Sequence, residues 1–414
     1  MSEQCSKRKN CRLCNSEKLC QCFKLEPTPP ANAFVKKEHL DEPQTTFPLD
    51  VYFCENCYHV QLLDIVDPKE LFENYVYVSG TSSTFVNHFE EYSKFIIKNY
   101  LSEDSSFVVD IGSNDGTLLQ FFKKNGCHIL GVDPAKKIAN NATKNGIETL
   151  PLFFDDKVSK MIQDKYGSAD VITANNVFAH IDNLTGFITN VRNLLTHNGI
   201  FSFEVSYLAD VIQKTLFDMT YHEHLSYHSV LSLVPFFESH DMELIEAVRV
   251  NIHGGSLRGI VQLKNGPYKV GESVKNAIKI EKELHLDKAD TFQKFATGIN
   301  EIKNKFQSLI IKLKQDGNTI AAYGAPAKAT TLLYHFGIDS SIIDFIVDDN
   351  TLKQGLYSPG KHIPILSPEA IYQKKPNYLI ILAWNFTEEI LKKHAKYKNE
   401  IGHFIVPLPT LMVI

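Results

Sequence analysis

No stretch of the 414 residues is apolar for long enough to span a bilayer, which sets aside a helical membrane protein. The opening MSEQCSKRKN has none of the apolar core of a secretory signal. Basic charge is not in excess either. The 43 Lys and Arg stand against 48 Asp and Glu, a net charge of −5, so the broad positive footprint of a nucleic-acid binder is missing. A cytoplasmic protein that touches neither membrane nor nucleic acid is expected. Cysteine all but disappears after Cys57: seven of the eight precede residue 58 and only Cys127 follows. In a chain without an export signal, such crowding favours metal over disulfides.

The metal reading has a definite geometry. Cys11-x-x-Cys14 and Cys54-x-x-Cys57 form two knuckles, and two such pairs complete a four-thiolate structural zinc site with no open position for catalysis. Cys20 and Cys22 are rival ligands in a less favoured C-x-C spacing. The long segment between the knuckles carries Pro27, Pro29, Pro30, Pro43 and Pro48, marks of extended, turn-rich chain. A zinc module over about 1–75 is expected, followed by a central domain over 76–260 and a C-terminal domain over 261–414. Tyr75 and Tyr77 fall at the first junction and read by themselves as packing aromatics.

Phe107–Gly116, FVVDIGSNDG, organises the central part. Apolar and β-favouring residues run into a turn with Gly112 and Gly116, and TLLQFF then reads as an amphipathic helix. Strand, glycine turn, helix is the entry to a doubly wound nucleotide-binding sheet. Asp133 follows 17 residues after Gly116, at the end of a second strand, where a carboxylate can hold a ribose diol. The turn is not the G-x-G-x-x-G of a dinucleotide site. Asp110 and Asp115 would repel a pyrophosphate but suit a ligand with a sulfonium and an ammonium group. The expected cofactor is therefore S-adenosylmethionine rather than NAD, held by Asp110, Gly112, Asn114, Asp115, Gly116 and Asp133. An ordinary βα turn is the bland alternative. Asn175 and Asn176 end a further strand, 169–174, and either is placed to contact the cofactor. His180 follows at the same edge. A fifth strand, 199–208, carries Glu204.

Thr220–His228, TYHEHLSYH, is chemically the densest stretch, with three imidazoles, a carboxylate and two phenols in nine residues. H-E-H is not the H-E-x-x-H of a zinc-binding helix face, so a general acid/base cluster is the better reading; a surface loop of hydrogen-bonded histidines is its rival. Asn251–Arg258, NIHGGSLR, is a glycine turn, either a hairpin or a means of aiming Arg258 at a phosphate. Residues 269–315 have helical period and charge runs read as solvated faces. A second α/β unit follows: a strand at 319–323, the turn Gly324–Ala327 with Lys328 opening a helix as an anion cradle, and strands at 345–349, 378–384 and 404–409.

Taken in order, the four-cysteine module, DIGSNDG, YHEH, NIHGGSLR and GAPAKATTLL resemble the S-adenosylmethionine-dependent C-methyltransferases of nucleotide-activated keto-deoxysugars, over nearly the whole chain. YHEH and GAPAKA are the more specific motifs. The resemblance implies an α/β protein with a small N-terminal zinc module, a central class I methyltransferase Rossmann-like domain, and a second Rossmann-like domain that helps bind the nucleotide sugar. It implies methyl transfer to a ring carbon, usually C3, beside the ketone of a nucleoside-diphosphate 4-keto-6-deoxy sugar, through an enolate. His224 would be the base, with Tyr221 and Glu223 polarising or orienting. His180 and Tyr75 would line the sugar pocket, and Arg258, Gly324 and Lys328 the nucleotide end. The sequence leaves the oligomeric state open, with a monomer plausible. The rivals are an O- or N-methyltransferase, an RNA methyltransferase disfavoured by the acidic balance, a zinc adaptor without catalysis, and an NAD-dependent oxidoreductase that lacks its fingerprint.

Overall fold

The computed structural model describes residues 4–72, 80, 83–101, 106–252 and 254–414. Tyr75, its neighbour Tyr77, and His253 of the second glycine turn lie outside these residues. Among the described residues no helix is long and apolar enough to cross a membrane.

Strands Leu19–Thr28, Phe47–Cys54 and Val60–Leu62 form an antiparallel sheet near the amino end. Its middle strand alternates, with Leu49, Val51 and Phe53 buried, the period of a sheet with one face against a core. The fourth strand comes from far along the chain: Ser226 pairs with Gln61 and Tyr227 with Val60. The cysteine module is therefore stitched to the segment that carries YHEH.

The central sheet has seven strands in the order Met242–Val250, Ser256–Leu263, Leu195–Ser206, Ala169–Asn175, Phe107–Ile111, His128–Val132 and Thr149–Leu150. Six run in one direction, and Ser256–Leu263 alone is inserted antiparallel to both its neighbours. Phe107–Ile111 is apolar almost throughout because helices cover both faces of a parallel sheet. The strand order reverses beside it, which opens a crevice at the carboxyl ends. Ser256–Leu263 runs through the expected boundary at residue 260, and the unit continues further. Ser273 Oγ accepts from the Ala247 amide at 3.2 Å, and the Gly271 amide donates to the Ile245 carbonyl at 2.8 Å.

The charged stretch 269–315 forms helices Glu272–Glu283 and Ala289–Gln315. One of its carboxylates departs from the expectation of solvated faces. Glu281 is buried and accepts from the amides of Val230 and Leu231 at 2.7 and 2.8 Å and from Tyr207 Oη at 2.8 Å. It caps the helix Val230–Glu238, whose first amides lack intrahelical partners. Burial pushes its carboxyl up to about 7.

The C-terminal sheet has six strands in the order Ile365–Leu366, Ile346–Val347, Ile320–Tyr323, Tyr378–Ile381, His403–Val406 and Met412–Val413, the last antiparallel. Its strands are shorter than expected, since 345–349 contracts to Ile346–Val347 and 378–384 to Tyr378–Ile381. The order again reverses between Ile320–Tyr323 and Tyr378–Ile381.

Candidate active site

One cavity of about 430 Å³ collects the loops from both switch points. The central sheet contributes the carboxyl ends of four parallel strands: Asp110–Gly112, Val132–Asp133, Asn175–Val177 and Ser206. The C-terminal sheet contributes Pro326–Lys328, Lys353, and Asn385–Phe386. His180, Tyr221 and His224 lie on the same wall system.

The cofactor half is built by the glycine turn. Gly112 has φ +72°, and a Cβ there would stand 2.2 Å from Val177 Cγ2, so only glycine permits this turn. Asp133 accepts from the amides of Asn114 at 2.9 Å and Ala135 at 2.8 Å, one with each oxygen. Each carboxylate oxygen keeps a second lone pair for a ribose hydroxyl. Asp110 accepts from Thr173 Oγ1 at 2.6 Å, and burial pushes its carboxyl up to about 7. The Asn175 amide is buried with neither its oxygen nor its nitrogen hydrogen-bonded among the described residues. A buried amide of that kind is costly unless a ligand completes it. These groups fit the cofactor expected from the sequence. Asp115 and Gly116 do not line the cavity. Asp115 instead accepts from Thr117 N and Oγ1 at 3.2 and 2.6 Å and from Gly80 N at 3.0 Å, holding the first turn of helix Thr117–Lys124.

His224 lines the cavity in a defined tautomer. Its Nδ1 lies 2.9 Å from the Met219 carbonyl and its Nε2 lies 2.9 Å from Tyr221 Oη. A carbonyl only accepts, so Nδ1 carries the hydrogen, and in the neutral ring Nε2 offers its lone pair to the Tyr221 hydroxyl. His180 stacks on His224 with ring centroids 5.1 Å apart. Burial first, and then His224 itself, push the His180 imidazole well below its ordinary value, so it stays neutral.

The neighbours of His224 point elsewhere. His222 Nε2 reaches the Phe47 carbonyl at 3.2 Å. Glu223 is buried and accepts from Asn32 Nδ2 at 2.8 Å, and Asn32 lines the cavity. His228 stacks on Phe178 at 4.8 Å.

Among the three residues expected to meet a nucleotide, two expectations change. Arg258 does not line the cavity. Its Nε donates to Glu204 Oε1 at 2.6 Å, its guanidinium lies 4.4 Å from the Tyr92 ring centre, and Glu204 also meets His88 Nε2 at 2.7 Å. Cross-strand pairing of Glu204 with Arg258 dictates this, because the two stand opposite in the register. Gly324 does not line it either: its amide donates to the Val347 carbonyl at 2.7 Å, and the chain enters the cavity two residues later, at Pro326. Lys328 does line it, buried, 3.4 Å from Asp218 Oδ2 and 4.1 Å from the Trp384 ring centre. Burial lowers its affinity for the proton, and Asp218 opposes that. Lys353, which no sequence motif marked, is a second lysine on this wall and donates to the Ala325 carbonyl at 2.8 Å.

The sulfurs of Cys11, Cys14, Cys54 and Cys57 all lie within 4.8 Å of one another. Thiolates about 2.3 Å from one tetrahedral zinc stand about 3.8 Å apart, so the four fit a closed structural site. Cys20 and Cys22 are not among them.

Three family models match in succession: a zinc binding domain over residues 11–72, a methyltransferase domain over 86–247 and a C-methyltransferase C-terminal domain over 251–409. The chain is 32% identical to the C-methyltransferase NovU of Streptomyces niveus over 98% of its own length and 96% of that protein's. Among solved structures it is similar to the magnesium protoporphyrin IX methyltransferase of Synechocystis PCC 6803, at 10% identity and a TM-score of 0.33, over 44% of this chain and 79% of that one. An S-adenosylmethionine-dependent methyltransferase of Clostridium acetobutylicum is similar at 15% identity and a TM-score of 0.35, over 43% and 92%.

Proposed function

The chain belongs to the S-adenosylmethionine-dependent C-methyltransferases, and from that premise we propose that it methylates C3 of a nucleoside-diphosphate 4-keto-6-deoxy sugar. One observation carries the reading: a single cavity joins the carboxylates at the cofactor strands, the Tyr221–His224 pair, and two lysines from the second sheet. A ligand with a cationic methyl donor beside it, an acidic carbon in the middle and a diphosphate at one end matches that sequence of groups.

The chain's residues divide the work as follows. Asp133 and the Asn175 amide hold the adenosine and amino-acid ends of the cofactor, and Asp110 favours its positive charge. Lys328 and Lys353 meet the diphosphate. His224 Nε2 takes the proton from the carbon beside the ketone. The C–H electron pair becomes the enolate double bond, and the carbonyl oxygen takes the negative charge. Tyr221 turns its hydroxyl from Nε2 to that oxygen, which releases the imidazole lone pair for the proton and stabilises the oxyanion. His180, neutral and stacked on His224, adds no second positive charge as the imidazolium forms. S-adenosylmethionine supplies the electrophilic methyl group, which the enolate carbon takes up as the sulfur recovers its electron pair.

The test is incubation with methyl-labelled S-adenosylmethionine and a panel of dTDP-, GDP-, CDP- and UDP-linked 4-keto sugars in deuterated water, read by mass spectrometry and NMR. Label on the ring carbon beside the ketone is expected. Label on oxygen or nitrogen, or on no sugar while the cofactor binds, would overturn the substrate assignment.

A further inference from the structure

Arg12 lies between two of the clustered cysteines, in Cys11-Arg12-Leu13-Cys14, yet its side chain points away from the metal site and into the protein. The residue is 3% exposed. Its Nε donates to Asp182 Oδ1 at 3.1 Å. Its Nη1 faces Gln61 Oε1 at 3.2 Å and the carbonyls of Leu225, at 3.3 Å, and Leu62. Its own backbone amide donates to the same Gln61 oxygen at 3.1 Å. Nη2 makes no hydrogen bond among the described residues. Burial lowers its pKa to about 10, with Asp182 opposing. Placing a guanidinium there is costly, and the partners it meets are informative.

Asp182 lines the cavity and follows His180 by two residues. Leu225 is the residue after His224, and its carbonyl also receives the Leu62 amide at 2.9 Å. One side chain thus grips both segments that bring His180 and His224 into their stack. Arg8 holds the first segment as well, donating to Asp182 Oδ1 at 3.0 Å. Asp182 is part exposed, so its pairing with Arg8 alone is weak. The planar fork of Arg12 binds carboxylate and carbonyls at fixed angles.

We infer that Arg12 is a positioning residue: it couples the cysteine knuckle to the catalytic imidazoles and sets the spacing of His180 and His224. The inference rests on the reading of His224 as the base. The role of the metal here goes beyond holding the amino-terminal module together, because the knuckle that binds it also aims Arg12.

The experiment compares the full-length zinc-loaded protein with R12Q, R12K and D182N. Zinc content is measured by elemental analysis, the imidazole ring nitrogens by NMR on histidine-labelled protein, and kcat and KM for S-adenosylmethionine separately. In R12Q, zinc is expected to stay stoichiometric while the ring resonances of His180 and His224 move. kcat should fall about 10–100-fold with KM for the cofactor unchanged, the pattern of a misplaced reacting group. R12K, which keeps charge but not the fork, should recover only part of this. The double variant R12Q/D182N should lose little more than R12Q, since beyond the shared Arg12–Asp182 contact D182N removes only the weak, part-exposed pairing with Arg8. Unmoved imidazole resonances in R12Q, or loss of zinc together with kcat, would overturn the inference. The NMR readout needs no turnover, so failure of the base assignment would appear separately, as moved resonances with unchanged kcat.

Discussion

The glycine turn at 110–116 and the histidine-rich stretch at 220–228 both look, in sequence, like compact sites. In the folded protein they behave differently. In the turn, Asp110, Gly112 and Asn114 all face the cofactor half of the cavity, and Asp115 caps the helix that the turn starts. A βα turn is local, and its backbone path follows from a few residues. The stretch at 220–228 is irregular up to its short strand Ser226–Tyr227 and scatters its side chains. Tyr221 and His224 enter the cavity, His222 turns to Phe47 and Glu223 to Asn32 in the amino-terminal part, and His228 packs on Phe178. Chemical density in a sequence therefore marks a junction as readily as a site. The junction has to be polar because three parts of the chain meet there around buried backbone groups.

The largest expected effect separates His224 from its neighbours. His224→Ala should lower kcat by about 10²–10⁴-fold, the contribution of a positioned acid/base group. S-adenosylmethionine affinity should stay unchanged by calorimetry, because the ring nitrogens are engaged by the Met219 carbonyl and the Tyr221 hydroxyl. Near-normal turnover would place the base elsewhere.

A smaller effect tests the turn through pH. Burial pushes the Asp110 carboxyl up to about 7, so the cofactor-free protein holds a proton there at pH 6 and has lost it by pH 8. The cationic cofactor favours the carboxylate. Affinity should therefore rise about tenfold between those two pH values, by proton linkage, and Asp110→Asn should flatten the slope. In the cofactor-free fold the sign is opposite. The raised value stabilises the protein fully below the ordinary 3.8, and that contribution is lost as pH rises through about 7. A pH-independent affinity in the unmodified protein would remove Asp110 from the cofactor site.

The smallest effect belongs to His222. Burial holds it neutral, pushed down to about 4, and its Nε2 donates to the Phe47 carbonyl. His222→Ala should cost about 1–3 kcal/mol in urea unfolding by stranding that carbonyl, with kcat at 20 °C or so within about twofold of the parent, as for a group outside the chemistry. A large kcat loss without a stability loss would erase the distinction from His224.

Sequence alone carried the features whose physics is local or periodic. The two C-x-x-C knuckles name four ligands because each pair is set by a short turn, and the sulfurs do converge. Phe107–Ile111 and its glycine turn announce a parallel strand and a ligand crevice through apolar runs and a positive-φ position. What only the tertiary structure decided are pairings between distant segments. Arg258 looked available for a phosphate until the sheet register set it opposite Glu204. Lys353 had no motif, and the fold delivers it to the same cavity as Lys328. Arg12 was a spacer between two ligands, and its meaning depends on Asp182 and Leu225, 170 and 213 residues away. Local sequence can specify a turn or a ligand pair, but whether a charge is satisfied or offered to a ligand depends on which remote partner the packed chain places within hydrogen-bond reach.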